Sequence, residues 1–330
     1  MSSTAEPQEQ MESAFAAEEN QSFEAPDAIG RRTSLWGDAW RLLRKNPLFM
    51  VSALLLIIIV AMAIVPQLFA MLSSAQDCAA ASSNTGAYCW RDPVYSELGR
   101  SAEGPSALHW FGFDVQGRDM FTRVIYGARN SISIGLTTTF GLFLVALILG
   151  ALAGYFGGWL DALIARIADT FFAIPTTLAG IAFLNLLPNR GVIEVSAVLI
   201  AFGWPGMMRI VRSSVVGERE REYVQAAKAL GSGPVRIITR HILPNSLAPV
   251  VVYATLMVGS MIGAEATLSY LGVGLQLPTI SWGLMVSEAQ KRLLQAPHLL
   301  FFPGTFISVT VFSFILMGDA LRDALDPRLR

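Results

Sequence analysis

The chain has 330 residues, of which 53% are hydrophobic and only 15% are charged. Soluble domains carry about 25% charged residues, so this composition excludes an ordinary water-soluble globule and indicates a membrane protein. The net charge of -1 indicates neither a nucleic acid nor an acidic substrate as a partner.

The first 30 residues form an acidic segment with seven Asp or Glu residues and no Lys or Arg. A segment this polar cannot bury enough apolar surface to offset the entropy of ordering. We therefore predict a disordered acidic cytoplasmic tail over residues 1–35. No cleaved signal peptide is expected, because the first apolar run begins at Leu48, behind Arg41, Arg44 and Lys45, and not close to the N-terminus.

Six apolar runs are each about as long as the ~20 residues that a helix needs to cross the hydrocarbon core. We predict an all-α polytopic membrane protein with about six transmembrane helices. Residues 36–72 would hold the first helix, 73–130 an extracytoplasmic loop, and 131–330 a core with the other five. The runs are 48–72, 132–155, 167–187, 192–211, 248–273 and 299–317.

The distribution of charge predicts the orientation of these helices. With six spans and both termini in the cytoplasm, the inner side holds 16 of the 24 Lys and Arg residues and the outer side eight. This split agrees with the positive-inside tendency, although five of the eight lie in the long segment after the first span, where the tendency weakens. We therefore expect cytoplasmic N- and C-termini.

The segment after the first run is rich in Ser, Gly, Pro and aromatic residues and ends in 118–129, where we expect a short amphipathic helix. It also contains Cys78 and Cys89, the two cysteines of the chain. An extracytoplasmic position would permit a disulfide between them, and two unpaired thiols are the alternative. Mass spectrometry of alkylated, unreduced protein separates the two, since labelling of both thiols excludes the bridge.

Two Gly-x-x-x-Gly pairs lie in the second and fifth runs. They are Gly150 with Gly154 and Gly259 with Gly263. Small residues at this spacing let helix backbones approach closely in lipid. We favour close packing within a bundle over a pore-lining role.

Residues 213–245, between the fourth and fifth runs, are too polar to form a span. We predict that they form two helices joined by a turn. Residues 218–230 are rich in helix-forming types, and Gly231 fits a left-handed helix stop. Pro234 suits the first position of the next helix. We expect that helix to end near Leu243, because the residue that follows is a proline.

No nucleotide or metal site is visible in the sequence. A phosphate-binding P-loop ends in Gly-Lys-Ser/Thr, whereas Lys45, Lys228 and Lys291 follow Arg, Ala and Gln. The three histidines are scattered, and the cysteines lack Cys-x-x-Cys spacing. Without a positioned base there is also no evident nucleophile, so we interpret the chain as non-catalytic and free of its own cofactor.

Glu265 is an ionisable residue inside an apolar run. On the lenient insertion scale, a central Asp costs about 2.5 to 3.5 kcal/mol, so such a residue needs a reason to be there. Substrate binding, proton relay and hydrogen bonding to a neighbouring helix all remain open for Glu265. Arg166 and Asp169, three residues apart, are expected to pair on one helix face.

The segment between the fourth and fifth runs also carries a specific motif. It resembles the EAA loop of ABC-importer permeases, whose general form is Glu-Ala-Ala, three residues, Gly, nine residues, Ile, one residue, Leu-Pro. The matching positions are Ala226, Ala227, Gly231, Leu243 and Pro244, with Gln225 in place of the Glu and His241 in place of the Ile.

Further motifs narrow the resemblance to the DppC/OppC type of dipeptide and oligopeptide importer permease, over roughly residues 36–330. They are Gly117-Arg118-Asp119, Tyr126-Gly127-Ala128-Arg129, Tyr155-Phe156-Gly157-Gly158, Leu268-Ser269-Tyr270-Leu271-Gly272, Ser281-Trp282-Gly283 and Gly318-Asp319-Ala320-Leu321-Arg322-Asp323.

This resemblance implies a type I ABC importer (MetI-like) permease in the cytoplasmic membrane of a prokaryote. It implies a second homologous permease, two cytosolic ATPase subunits that bind ATP and Mg²⁺, and an extracytoplasmic solute-binding protein, with membrane lipid and no nucleic acid as other partners. The residues implied in ATPase coupling are Glu222, Gln225, Ala226, Ala227, Gly231, His241, Leu243 and Pro244.

Other functions stay open at this point. Similar permeases serve nickel or glutathione importers. A stand-alone secondary transporter or channel would need its own coupling-ion site and, as is common in such transporters, an internal inverted repeat, neither of which is visible. A non-transporting membrane scaffold would leave the docking motif unexplained.

Overall fold

The structure is a computed structural model that describes residues 35–72 and 92–325. These ranges are mainly helical and contain no β-strand beyond an isolated bridge between Phe113 and Asp119. The helices are α1 (Leu35–Leu43), α2 (Pro47–Ile64), α3 (Pro66–Ala70), α4 (Met120–Phe156), α5 (Gly158–Ala173), α6 (Thr176–Leu184), α7 (Val192–Arg219), α8 (Glu222–Ala229), α9 (Pro234–Ile237), α10 (Leu243–Tyr270), α11 (Trp282–Ala289) and α12 (His298–Leu325).

Five helical stretches of the described chain are long and apolar enough to cross a membrane: α2, α4, α7, α9 with α10, and α12. The pair α5 and α6 passes the same test together but bends by 78° at its break. Counting this pair as one broken span gives six, in agreement with the predicted number. Pro175 explains the break, because a proline excludes the preceding residue from helical geometry, and Ile174 is extended with φ -90° and ψ 118°.

Two predictions between residues 48 and 129 were wrong. The run 48–72 is not one helix, because α2 stops at Ile64 and α3 starts at Pro66, whose ring nitrogen cannot donate the hydrogen bond that would continue α2. The predicted short helix at 118–129 is the first part of the 37-residue α4. The side chain of Asp119 caps α4 by accepting from the Thr122 amide at 2.8 Å.

The spans pass back and forth between two ends of one bundle. Gly150 and Gly154 of α4 face Val211 and Val215 of α7, so these two helices run parallel. In contrast, α10 and α12 run antiparallel. We call the end that carries α8 the loop end, and the end that carries α11 the hairpin end.

Both ends of the described chain lie at the loop end. Leu43 of α1 packs with Ala320 and Ala324 near the end of α12. A groove beside them is shared by Arg322 of α12 and Ile210 of α7. This arrangement is the one that an even number of spans produces.

Close packing at the Gly-x-x-x-Gly pairs is confirmed at three of the four glycines. A Cβ at Gly150 would lie 2.7 Å from the Val211 Cβ, and one at Gly154 would lie 2.9 Å from the Arg212 carbonyl oxygen. A Cβ at Gly259 would lie 3.2 Å from the Val311 carbonyl oxygen of α12. Gly263 differs, since its Cβ would meet no heavy atom within 4 Å.

At the hairpin end, α11 is held by a buried group of charged side chains. Arg123 of α4 is 1% exposed and lies 3.2 Å from Asp114 and 3.6 Å from Glu288 of α11. Arg118 contacts the same two carboxylates. Burial raises the pKa of Glu288 above its ordinary value, while the two arginines act in the opposite direction.

Candidate functional site

The segment 213–245 starts inside α7, which continues past the predicted end of the fourth span to Arg219. Glu218 therefore belongs to α7, and the predicted helix at 218–230 is the shorter α8, Glu222–Ala229. Arg221, which is extended with φ -68° and ψ 145°, separates α8 from α7.

Gly231 adopts the left-handed conformation that its place in the sequence predicts, with φ +76°. Its amide donates to the Lys228 carbonyl at 2.9 Å, and the Ser232 amide donates to the Ala227 carbonyl at 3.1 Å. These bonds satisfy carbonyl groups that the end of a helix leaves free. The chain then enters α9 with Pro234 at the first helical position, as predicted.

The prediction that the second helix ends near Leu243 was wrong. Residues Ile238–Ile242 form one wider π-helical turn, in which the Leu243 amide donates to the Ile238 carbonyl, and α10 follows without a break. A proline normally stops a helix because it lacks the amide and its ring collides with the preceding turn. The wide turn places Pro244 in the first turn of α10, where a missing amide hydrogen is tolerated.

Tyr223 ties the three parts of this segment together. Its hydroxyl donates to the Glu218 carboxylate of α7 at 2.5 Å and receives a hydrogen bond from the Asn245 side chain of α10 at 3.2 Å. Asn245 also donates to the His241 carbonyl at 2.7 Å. Burial and the neighbouring Glu218 raise the pKa of Tyr223 to about 12, so the hydroxyl keeps its proton at neutral pH.

Gln225 stands where the motif has Glu, and the amide makes a bond that a carboxylate cannot make. Its Nε2 donates to the Arg219 carbonyl at the end of α7, at 3.2 Å. Arg219 in turn donates to the carbonyl groups of Gly154 and Tyr155 at the end of α4, both at 3.2 Å. The ends of α4, α7 and α8 are therefore connected.

The predicted coupling residues lie together but differ in exposure. Ala227 is buried, and His241 and Leu243 are half-buried. The exposed members of the set are Glu222, Gln225, Ala226, Gly231 and Pro244. These exposed residues are polar or small, so they offer little apolar area to a partner.

Two apolar side chains that the sequence analysis did not single out are strongly exposed in this segment. Leu230 is 87% exposed and Val235 is 74% exposed, on either side of the turn at Gly231. Val224, Ala227 and Ile237 of the same segment are buried. The signal in the sequence was the presence of bulky apolar residues next to a turn in a charged loop, where solvated residues are expected.

Arginines of α7 attach the bent pair to the bundle. Arg212 makes a two-pronged contact with Asp161 of α5, and Arg209 lies 2.8 Å from Asp169. The predicted partner of Asp169 was Arg166, one turn before it on the same helix, and that prediction was wrong. Spacing along one helix places Arg166 near Asp169, but α7 approaches α5 so closely that Arg209 contacts the Asp169 carboxylate instead.

Glu265 of α10 is fully buried at the hairpin end. Its Oε1 accepts hydrogen bonds from the hydroxyl groups of Ser269 at 2.7 Å and Ser281 at 3.0 Å. Its Oε2 has no hydrogen-bond partner among the described residues. Of the roles that the sequence left open, this geometry favours hydrogen bonding to a neighbouring segment.

Cys78 and Cys89 lie outside the described residues, so a disulfide between them stays a prediction. In the described ranges, no group of three or more His, Cys, Asp or Glu side chains could hold a metal ion.

Comparison with protein families identifies the chain. Residues 146–330 match the family described as binding-protein-dependent transport system inner membrane component. The chain belongs to this family. Residues 34–83 of this permease also match the N-terminal transmembrane domain of oligopeptide transport permease C.

Curated relatives match the permease over most of its length. A dipeptide transport system permease protein DppC of Alkalihalophilus pseudofirmus is 40% identical, over 90% of this chain and 91% of the relative. An oligopeptide transport system permease protein OppC of Bacillus subtilis is 39% identical, over 90% and 91%. A glutathione transport system permease protein GsiD of Pectobacterium atrosepticum is 39% identical, over 72% and 78%.

A solved structure shares the fold. The permease superposes on a chain of the MetNI methionine ABC transporter in an inward-facing conformation, with a TM-score of 0.53 at 18% sequence identity. The match covers 63% of this chain and 98% of the other. The predicted type I ABC importer permease fold is therefore confirmed.

Proposed function

We propose that this permease moves dipeptides or oligopeptides across the cytoplasmic membrane of a prokaryote, driven by ATP hydrolysis in two separate cytosolic ATPase subunits. The observation that carries the coupling half of this proposal is the exposed apolar pair Leu230 and Val235 at the tip of the EAA loop. The names of the relatives, dipeptide and oligopeptide permeases at 39% to 40% identity, support the peptide half.

Leu230 and Val235 fit a docking surface for a protein partner. Isolated exposed apolar residues are ordinary on a soluble surface, but these two flank one turn, in a segment whose Val224, Ala227 and Ile237 are buried. A groove on an ATPase subunit that covers both side chains would remove them from water. ATP and Mg²⁺ would be bound by that subunit, and this chain would contribute neither a cofactor site nor a catalytic group.

The hydrogen bonds around Tyr223 explain how docking would move the spans. Glu218 belongs to α7 and Asn245 to α10, and both contact the Tyr223 hydroxyl. A displacement of α8 would therefore pull on two spans at once. Rigid-body movement of spans around a central pathway is the usual basis of alternating access.

The remaining partners follow from the same proposal. A second homologous permease would complete the pathway, and an extracytoplasmic solute-binding protein would deliver the solute. The loop end and both chain termini would then face the cytoplasm, and the hairpin end would face outward. We propose the division of the chain that the sequence predicts: the first span within 36–72, an extracytoplasmic segment over 73–130 that ends in the first turns of α4, and a core with the other five spans over 131–330. The predicted acidic tail over 1–35 lies, apart from Leu35, outside the described residues.

Glutathione is a second candidate solute, because a glutathione permease is 39% identical over 72% of this chain. It is itself a peptide-like molecule, so the same pathway would suit it. Isothermal titration of the partner solute-binding protein with a dipeptide, a longer peptide and glutathione separates the candidates by their affinities.

The docking proposal is tested by Leu230→Glu. A charge at this position would have to be buried without a partner when the ATPase docks, at a cost of several kcal/mol. We expect the purified permease pair to lose its ATPase subunits in mild detergent, and import into liposomes to stop.

Leu294→Glu is the matched control. Leu294 is 98% exposed and lies between α11 and α12 at the opposite end of the bundle, so this variant should retain its ATPases. Retention of the ATPases by Leu230→Glu, or transport by the wild-type chain alone, would contradict the proposal.

A further inference from the structure

Glu265 carries a structural role that coupling at the loop end does not explain. One oxygen atom, Oε1, is shared by the Ser269 and Ser281 hydroxyl groups. Each serine hydroxyl also accepts a hydrogen bond from the backbone. Ser269 accepts from the Leu275 amide at 3.3 Å, and Ser281 accepts from the Leu284 amide at 3.1 Å. We call residues 271–289 the 271–289 segment; it consists of helix α11 and the turn that precedes it. Through the two serines, a single carboxyl group is connected to backbone amides in both the turn and α11.

The fit around Glu265 is close. A Cβ on Gly283 would lie 3.0 Å and 3.1 Å from the two carboxyl oxygens and 2.7 Å from the Ala266 Cα. The 271–289 segment therefore rests directly on α10 with no room for another side chain. On its other side the segment is held by α4, where Asn130 donates to the Ile280 carbonyl at 2.6 Å and the Trp282 indole donates to the Val124 carbonyl at 2.8 Å.

The surroundings of Glu265 favour an uncharged carboxyl group. No arginine, lysine or histidine of the described residues pairs with it, and its contacts are the two serine hydroxyls. A buried carboxylate without a cation is strongly unfavourable, whereas a neutral acid loses much less on burial. Oε2 has no hydrogen-bond partner among the described residues, so a proton on this oxygen would leave both serine contacts at Oε1 intact.

Glu265 also lies on the element that links the two ends of the bundle. Helix α10 follows the EAA loop directly and runs 28 residues to Tyr270, a length of about 42 Å at 1.5 Å per residue. A rigid-body shift of α10 would therefore move Glu265 together with the start of the helix.

We propose that Glu265 is a positioning residue that acts as an uncharged hydrogen-bond acceptor and fixes the 271–289 segment to the end of α10, so that this segment moves with α10. This assigns Glu265 neither an ion-binding nor a proton-carrying role. The movement itself rests on the proposed function, but the hydrogen-bonding role of Glu265 does not.

The test compares Glu265→Gln with Glu265→Ala in the assembled transporter in nanodiscs. Glutamine keeps an acceptor oxygen for both serines and carries no charge, so amide hydrogen exchange over 271–289 should stay close to wild type. Alanine leaves two buried hydroxyls without their acceptor, and exchange should be faster by a factor of about 5 to 30. Ser281→Ala, which removes one of the two contacts, should accelerate exchange at the Leu284 amide.

Thr267→Val is the matched control, because among the described residues the exposed Thr267 hydroxyl bonds only to the Gly263 carbonyl of its own helix. Its exchange over 271–289 should equal wild type. Exchange in Glu265→Gln as fast as in Glu265→Ala would overturn the proposal, and so would an unchanged rate in Glu265→Ala.

The import rate supplies a second readout. Glu265→Gln should import with the pH profile of the wild-type transporter, and a loss of import or a shifted profile in this variant would overturn the uncharged role. If the wild-type complex imports no peptide at all, the proposed function fails, while the exchange measurements still decide the role of Glu265.

Discussion

Gly231 has a left-handed backbone conformation within the loop that we propose couples the permease to its ATPases. Its φ of +76° lies in the region where a side chain costs roughly 1–2 kcal/mol. A Cβ there would meet no heavy atom within 4 Å, so the cost of a substitution comes from the backbone alone. We expect Gly231→Leu to abolish coupling of ATP hydrolysis to import while membrane insertion stays intact, as measured in reconstituted complexes.

Gly233→Leu is the control for this prediction. Gly233 lies two residues away with equally open surroundings, but its φ is -69°, which any residue adopts. This variant should import at a rate close to wild type. Import by Gly231→Leu at the normal rate would show that the left-handed turn is unnecessary.

The sequence predicted the backbone conformation of single residues better than their contacts or exposure. The left-handed Gly231 and the helix-starting Pro234 follow from the chemistry of one residue each. Asp169 pairs with Arg209 across 40 positions, and which of several nearby cations it chooses depends on how α5 and α7 pack. Leu230 and Val235 look like core residues by type, and only the structure places them in solvent.

The glycines of α4 show how a single element depends on its neighbour. Gly150 faces Val211 at a distance that excludes a methyl group, and Gly263 of α10 faces open space. We expect Gly150→Ala to lower the unfolding temperature of the detergent-purified permease, because overpacking costs about 1–3 kcal/mol.

Alanine at Gly263 should not lower the unfolding temperature. Replacing a helical glycine by alanine gains up to about 1 kcal/mol when the site has room. Gly263→Ala should therefore unfold at the wild-type temperature or above it. Equal behaviour of the two variants would mean that the α4–α7 contact does not limit stability.

Elements with a strong local signal were predicted well, and elements shaped by neighbours were not. The apolar lengths of α4, α7, α10 and α12 are visible in the sequence because the bilayer demands them. The passage from α9 into α10 through Pro244 was missed, since the local rule that a proline ends a helix does not allow for a π-helical turn before it.

At the scale of the whole molecule, sidedness is the feature to test. The predicted orientation places Glu220 and Arg44 in the cytoplasm and Leu294 outside. In a background with Cys78→Ser and Cys89→Ser, a membrane-impermeant maleimide should label Leu294→Cys in intact spheroplasts. Glu220→Cys and Arg44→Cys should react only after permeabilisation.

Each alternative topology gives its own labelling pattern. Inversion of the whole bundle would exchange the two sets. Labelling of Arg44→Cys from the outside together with protection of Glu220→Cys would mean that the first span does not cross.

The sequence by itself determined the membrane class, the number of apolar runs, the EAA loop and the family, because bilayer thickness and helix-terminus rules act on consecutive residues. Tertiary structure decided what each buried polar group contacts. Glu265 was visible as an anomaly, but its partner Ser281 is 16 positions away, and only the packing of the 271–289 segment on α10 brings them together. Hydrogen-bond geometry between distant segments depends on the whole fold, and no local pattern encodes it.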